Sequence, residues 1–211
     1  TPPSGNITTI DFAGDFSGTS VINAMKGDYN IALGDMGYQK TLDQFMSDFS
    51  KLKNDACVIG NHDALEDGNA AIYAQAKKFC GELWFKTVAG GTTLLIGWNS
   101  NGNMDVQLGA AQDYVMNSTK MQGIKNVVIM SHKPSQTHPN SHHPPEADVK
   151  TFYKSLEAKI PAGVKVYEVV GHNHEYSHNK DNTSFLAGSG GQTSHRQCGV
   201  DAEWTFCKTG N

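Results

Sequence analysis

The chain has 211 residues, 38% of them hydrophobic and 18% charged, with a formal net charge of −4. That is enough for one domain with a sizeable core and too few for two comfortable ones, so a single domain over 1–211 is expected. The charge gives no broad basic surface for nucleic acid, which enters only as a substrate. No apolar run approaches the roughly 18 residues a membrane span needs, so no membrane partner is expected.

Strands and helices alternate along the chain. Ile7 to Ala13 reads as a strand, Ser17 to Met25 as a short helix and Tyr29 to Leu33 as a second strand. Gln39 to Lys53 is the clearest helix, because Leu42, Phe45, Met46, Phe49 and Leu52 recur with a period near 3.6 and form a core face. Ala56 to Ile59 is a third strand and Asp67 to Phe79 a further helix. Leu83 to Val88 and Thr92 to Trp98 are β-rich and flank Ala89-Gly90-Gly91, a hairpin signature. Then come a helix over Leu108 to Met121, a strand over Asn126 to Ser131, a helix over Ala147 to Lys159, and strands over Val164 to Val170 and Ser184 to Ala187. The irregular stretch Lys133 to Pro145 holds three His and four Pro. A loop of that length in a compact domain is usually functional or disordered. Early βα units followed by hairpins predict an α/β fold, a layered sandwich with helices covering mixed sheets.

Four cysteines bear on the compartment. Cys198 and Cys207 flank a candidate hairpin and are expected to form a disulfide. Cys57 and Cys80 either pair or leave Cys57 as a buried thiol. The chain starts at Thr1 rather than Met, and three Asn-x-Ser/Thr triplets occur, at Asn6, Asn117 and Asn182. Together these features lead to an expected extracytoplasmic or secreted location.

The chemistry gathers at strand ends. Gly60-Asn61-His62-Asp63 follows an apolar strand, at the carboxyl end where open α/β sheets place their sites. Gly14-Asp15, Gly34-Asp35-Met36-Gly37-Tyr38, Ser131-His132 and Gly171-His172-Asn173-His174 occupy the same kind of position. Each has a bland reading: Asp15 as a helix N-cap, Tyr38 as a packed amphipathic residue, His172 and His174 as surface residues of a loop. Jointly, hard carboxylates, an amide, imidazoles and a phenol on one rim point to a two-metal hydrolytic site. Asn61 offers a neutral oxygen, and Asp35 can bridge with both of its own. His172 and His174, two apart in an extended segment, would share a face. A phenolate ligand calls for a strong Lewis acid such as Fe(III), since free tyrosine ionises near pH ~10. His62 diverges from Asn61 and suits contact with substrate, with Asp63 orienting it.

The order of these motifs, from about Ile7 to Gly191, resembles the calcineurin-like metallophosphoesterases. Most members carry Asp-x-His in the first motif, whereas this chain has Asp15-Phe16-Ser17. Purple acid phosphatases also lack that histidine and supply a tyrosine in Gly-Asp-x-x-Tyr, where Tyr38 stands. The resemblance implies Asp15, Tyr38 and His174 on a first metal, Fe(III), and Asn61, His132 and His172 on a second, Fe, Zn or Mn, with Asp35 bridging. It also implies the family's four-layer α-β-β-α sandwich of two mixed sheets flanked by helices, and a phosphomonoesterase that attacks small phosphate esters with a metal-bound hydroxide. His62 would be the first candidate to protonate the leaving alkoxide, and a loop histidine (His138, His142 or His143, with His138 taken first) the second. A phosphodiesterase or nuclease on the same core is the alternative. A catalytically inactive scaffold and a metal store belong to other classes, and His62-Asp63 argues against storage.

Overall fold

The computed structural model describes residues 8–16, 19–36, 41–64, 66, 69–138 and 143–188, and the backbone of 195–200 and 205–210. Among the described residues, eleven strands and five helices run β1 (Thr8–Ala13), α1 (Ser20–Ala24), β2 (Tyr29–Ala32), α2 (Leu42–Phe49), β3 (Ala56–Cys57), α3 (Ala70–Cys80), β4 (Leu83–Val88), β5 (Thr93–Trp98), α4 (Met104–Met116), β6 (Asn126–Ser131), α5 (Ala147–Glu157), β7 (Lys165–Val170), β8 (Tyr176–His178), β9 (Ser184–Ala187), β10 (His195–Val200) and β11 (Thr205–Gly210).

The strands form two sheets, ordered β11-β10-β1-β2-β3 and β4-β5-β6-β7-β9-β8. In the first, β1, β2 and β3 are parallel and β10–β11 extend them antiparallel. In the second, β5, β6, β7 and β9 are parallel, with β4 and β8 antiparallel at the two edges.

Side-chain alternation builds the layers. Ile10, Phe12, Ile31 and Leu33 of the first sheet pack against Leu95, Val128, Met130 and Val169 of the second. The opposite face of the first sheet, with Ala32 and Ile59, packs on Val21, Ile22, Phe45 and Ile72 of α1 to α3. The opposite face of the second, with Leu94, Ile96, Val127 and Ile129, packs on Ala111, Val115, Phe152 and Leu156 of α4 and α5. This is the expected α-β-β-α sandwich. No described helix is long and apolar enough to cross a membrane.

Several expected bounds move for local reasons. The helix placed at Gln39 begins at Leu42, because Thr41 caps it with a reciprocal Thr41–Gln44 box. The helix placed at Leu108 begins at Met104, capped by Asn103. The edge strand β8 is only three residues long and gives no periodic signal.

Cys57 and Cys80 pair in a disulfide that ties β3 to the end of α3. The backbone register sets Cys198 opposite Cys207; their side chains lie outside the described set. Trp84 of the second sheet donates from Nε1 to the Cys57 carbonyl at 2.8 Å, binding the two sheets at the same point.

Candidate metal centre

The two sheets meet at the carboxyl ends of their parallel strands. Gly14 and Gly188 form a parallel bridge, with Gly14 N donating to Ala187 O at 2.8 Å. Asp15 N then donates to Gly34 O at 3.0 Å, so the turns after β1 and β2 are joined backbone to backbone.

On this rim, Asp15, Asp35 and His132 are fully or almost fully buried and offer ligand atoms within 4.8 Å of one another. His132 Nε2 is 3.2 Å from Asp35 Oδ2 and 3.9 Å from Asp15 Oδ1. His174 Nε2 is 3.5 Å from the same Asp15 oxygen. His172 Nδ1 is 3.1 Å from Asn61 Oδ1 and 3.3 Å from His132 Nε2. Asp15, Asp35, Asn61, His132, His172 and His174 thus converge, while Tyr38 lies outside the described residues. Among the described residues, the N-cap of α1 is Thr19 and not Asp15.

The backbone is shaped around these side chains. Asp15, Asp35, His172 and His174 all take positive φ, at 58°, 55°, 76° and 51°. Each such non-glycine residue costs energy and persists where its surroundings force it, commonly at a functional site. This corrects one expectation. His172 and His174 do not sit on an extended segment; left-handed backbone at both turns the chain, with the His174 ring at Asp15 and the His172 ring at Asn61 and His132. Backbone amides hold the carboxylates, His172 N on Asp15 Oδ2 at 2.8 Å and His62 N on Asp35 Oδ1 at 2.9 Å.

Glycines make the space. A Cβ at Gly60 would lie 2.0 Å from Asp35 Oδ1, and one at Gly188 2.8 Å from Asp15 Oδ2. One at Gly34, whose φ is +85°, would lie 2.5 Å from Gly60 N. Only hydrogen at these positions lets the buried carboxylates approach the imidazoles.

The electrostatics ask for a cation. Burial opposes charge on His132, but the Asp35 and Asp15 carboxylates outweigh it and bring the imidazole up to about 10. Burial also opposes charge on Asp35, yet His132 holds its carboxyl well below the usual range. Burial and the positive His132 push His172 down to about 2. His174 is moved upward by its hydrogen bond to Asp15. His132 Nδ1 faces Leu33 O at 2.7 Å, which fixes this nitrogen as donor and leaves Nε2 facing the carboxylates as a ligand atom. Carboxylates that draw a proton onto a buried histidine, an amide oxygen and converging imidazole nitrogens fit divalent or trivalent metal ions.

A cavity of about 220 Å³ opens onto the cluster, walled by Asp35, Asn61, His62, His143, His172 and His174 with Glu66, Lys133 and Glu146 at its side. His62 is one of its walls. Asp63 braces the backbone of the site. Its Oδ1 accepts from Met36 N at 2.8 Å and its Oδ2 from Gly60 N at 3.0 Å, so it ties the turns after β2 and β3 together.

His138 is a correction. It is 2% exposed, with Nε2 3.0 Å from Ser184 Oγ. Ser184 in turn donates to the buried Glu168 at 2.5 Å. A histidine sealed in that internal network does not wall the cavity. The loop residue that does is His143, whose ring centroid is 4.3 Å from that of His172. Asn173 places it, accepting from His143 N at 2.8 Å and donating to His143 O at 3.3 Å. His142 lies outside the described residues. Lys133 and Asn173 were not singled out from the sequence, although each adjoins a histidine of a strand-end motif.

Among solved structures, the chain is similar to a provisionally named 5′-nucleotidase from Staphylococcus aureus, at 11% identity and a TM-score of 0.59, covering 97% of this chain. It spans about half (54%) of that protein's length. It is also similar to an uncharacterised Streptococcus pneumoniae protein assigned to the phosphoesterases, at 14% identity, a TM-score of 0.44, and coverage of 98% and 90% of the two chains. No curated protein matches the sequence. The family model for calcineurin-like phosphoesterases matches residues 7–176, and the chain belongs to that family of metal-dependent phosphoester hydrolases.

Proposed function

We propose that this chain is a dinuclear-metal phosphomonoesterase of purple acid phosphatase type. The observation that carries the reading is a shared carboxylate pair with donors on two sides. Asp15 Oδ1 faces His174, while Asp35 Oδ2 faces His132, itself beside His172 and Asn61. In this reading Asp15, Tyr38 and His174 hold one ion, Asn61, His132 and His172 the other, and Asp35 both. Tyr38, and the serine at 17 in place of a histidine, favour Fe(III) at the first position; Fe, Zn or Mn suits the second. Bound there, the ions would lower the pKa of water and take up charge on the phosphoryl oxygens.

The chain's own residues do the rest. The His62 backbone N–H holds Asp35 Oδ1 while the side chain walls the cavity. His62 and His143 are the groups placed to hand a proton to the leaving oxygen, which favours acidic to neutral pH. The Cys57–Cys80 disulfide supports an extracytoplasmic setting.

The test is iron reconstitution under oxidising conditions, followed by a visible spectrum and a substrate panel. A phenolate-to-iron absorption band that Tyr38→Phe abolishes is expected, with an aryl monoester hydrolysed faster than an aryl diester or single-stranded DNA. A colourless, iron-loaded wild type sinks the iron–tyrosine assignment. A diester preference sinks the phosphomonoesterase.

A further inference from the structure

A second cavity, about 360 Å³, adjoins the first, and the two share Asn61, Glu66, Lys133 and Glu146 as common walls. Its far walls are Tyr73 from α3, Asn101 from the β5–α4 connection, Met104 from the start of α4, and Asp148 from α5. They are held from behind. Asn101 Nδ2 donates to Ile59 O at 3.1 Å, Asn99 Nδ2 to Tyr73 OH at 3.2 Å, and Lys133 N to the buried Ser100 Oγ at 3.2 Å. A hollow braced on two strand ends is organised before any ligand arrives.

Among the described residues lining the two cavities, Lys133 is the one lysine or arginine. Its side chain is 17% exposed, and its ammonium rests 2.7 Å from Glu146. The second cavity otherwise carries the carboxylates of Glu66, Glu146 and Asp148. Lys133 stands on the boundary that the two cavities share, so a phosphoryl dianion seated at the cluster would leave the second cavity for its alcohol part.

We propose that this second cavity is the leaving-group subsite, that Lys133 is the cation seating the phosphoryl group at its mouth, and that the substrate is a phosphomonoester of a small hydrogen-bonding alcohol carrying no second negative charge. Tyr73 and Asn101 supply polar contacts to such an alcohol, and Met104 an apolar one. The three carboxylates repel a second phosphate or a carboxylate, which argues against nucleic acid and polyphosphates as substrates. This inference rests on the phosphomonoesterase reading.

The experiment uses the metal-loaded protein and three esters of similar size: phosphoethanolamine, glycerol phosphate and phosphoglycerate, with an aryl phosphate as reference. The expected result is a kcat/KM for phosphoglycerate at least about fivefold below the other two, narrowing with added salt, since solvent-facing charges are worth little more than this. Asp148→Lys should reverse the ratio. Lys133→Met should raise KM for all monoesters, and Lys133→Arg should restore much of the loss. Hydrolysis of the aryl phosphate with equal kcat/KM for the three esters, or a ratio that Asp148→Lys leaves unmoved, overturns the subsite alone. No hydrolysis of any ester overturns the phosphomonoesterase reading and the subsite with it.

Discussion

His172 Nδ1 stands 3.3 Å from His132 Nε2, with Asn61 Oδ1 3.1 Å from the same His172 nitrogen. A buried and a half-buried imidazole nitrogen set this close to one another, beside two carboxylates, form a site completed by a cation. Metal removal is therefore expected to destabilise the fold as well as abolish turnover. A chelator should lower Tm, and added metal should raise it in a concentration-dependent way, with a stabilisation of about 2.7 kcal/mol at a hundredfold excess over Kd. Scanning calorimetry against metal concentration checks this. A Tm indifferent to metal would mean that the cluster binds none.

Two histidines of one loop should part company. His143 is exposed beside His172 and walls the cavity, so His143→Ala should cost about tenfold or more in kcat/KM with little change in stability. His138 is buried on Ser184, so His138→Ala should cost about 2 kcal/mol of stability while turnover persists. Steady-state kinetics and urea melts on the two variants separate the roles. The opposite pattern would return His138 to the site.

The same pair shows what the sequence could and could not say. Strand-end motifs were legible because an apolar run followed by Gly-Asp or Gly-His fixes both the element and the end of the sheet it reaches. That logic leads to the sandwich and to six residues that converge. It does not extend to Lys133–Pro145, where no periodicity orients the chain and three histidines look alike. His143 is placed by a buried Asn173 about thirty positions away, and His138 by Ser184, and such pairings exist only in the folded molecule. Asp63 shows the same limit: its carboxylate accepts from the backbone amides of Met36 and Gly60, partners that no sequence pattern announces. Left-handed backbone at His172 and His174 was likewise invisible, since histidine adopts it only in a minority of cases.

Gly60 and Gly109 give opposite expectations for the same substitution. A Cβ at Gly60 would lie 2.0 Å from Asp35 Oδ1 and 2.2 Å from Asp35 N, and the backbone atom cannot swing away. Gly60→Ala should cost about 2–3 kcal/mol and strip metal from the site. Gly109, inside α4, would meet nothing within 4 Å. Gly109→Ala should stabilise by about 1 kcal/mol through helix propensity. Urea melts with metal analysis of both variants provide the check.

The Cys57–Cys80 disulfide closes a loop with a sequence separation of 23. Opening a loop of that size costs about 3 kcal/mol in the chain-entropy account. Because β3 runs directly into Gly60 and Asn61, the paired Cys57→Ala, Cys80→Ala variant should lose metal affinity along with stability. Metal titration beside a thermal melt measures both. Unchanged metal affinity would show that the Asp63 bonds alone hold the turn.

Glu168 supplies a pH dependence separate from the metal cluster. It is 1% exposed, and burial raises its carboxyl above the ordinary value of 4.5, only partly offset by Ser135 and Ser184. With the folded pKa above the unfolded one, its contribution is fully present below about 4.5 and is lost as pH rises through the folded value. Glu168→Gln removes that dependence while keeping the acceptor for Ser135 N, which lies 2.9 Å from Oε1, and an amide that can donate to Ser184 Oγ. The Tm of the variant relative to wild type should therefore climb with pH from about 4.5 upward. Thermal melts of both proteins across that range decide it. A constant difference would mean that Glu168 titrates in the folded protein much as it does in the unfolded chain.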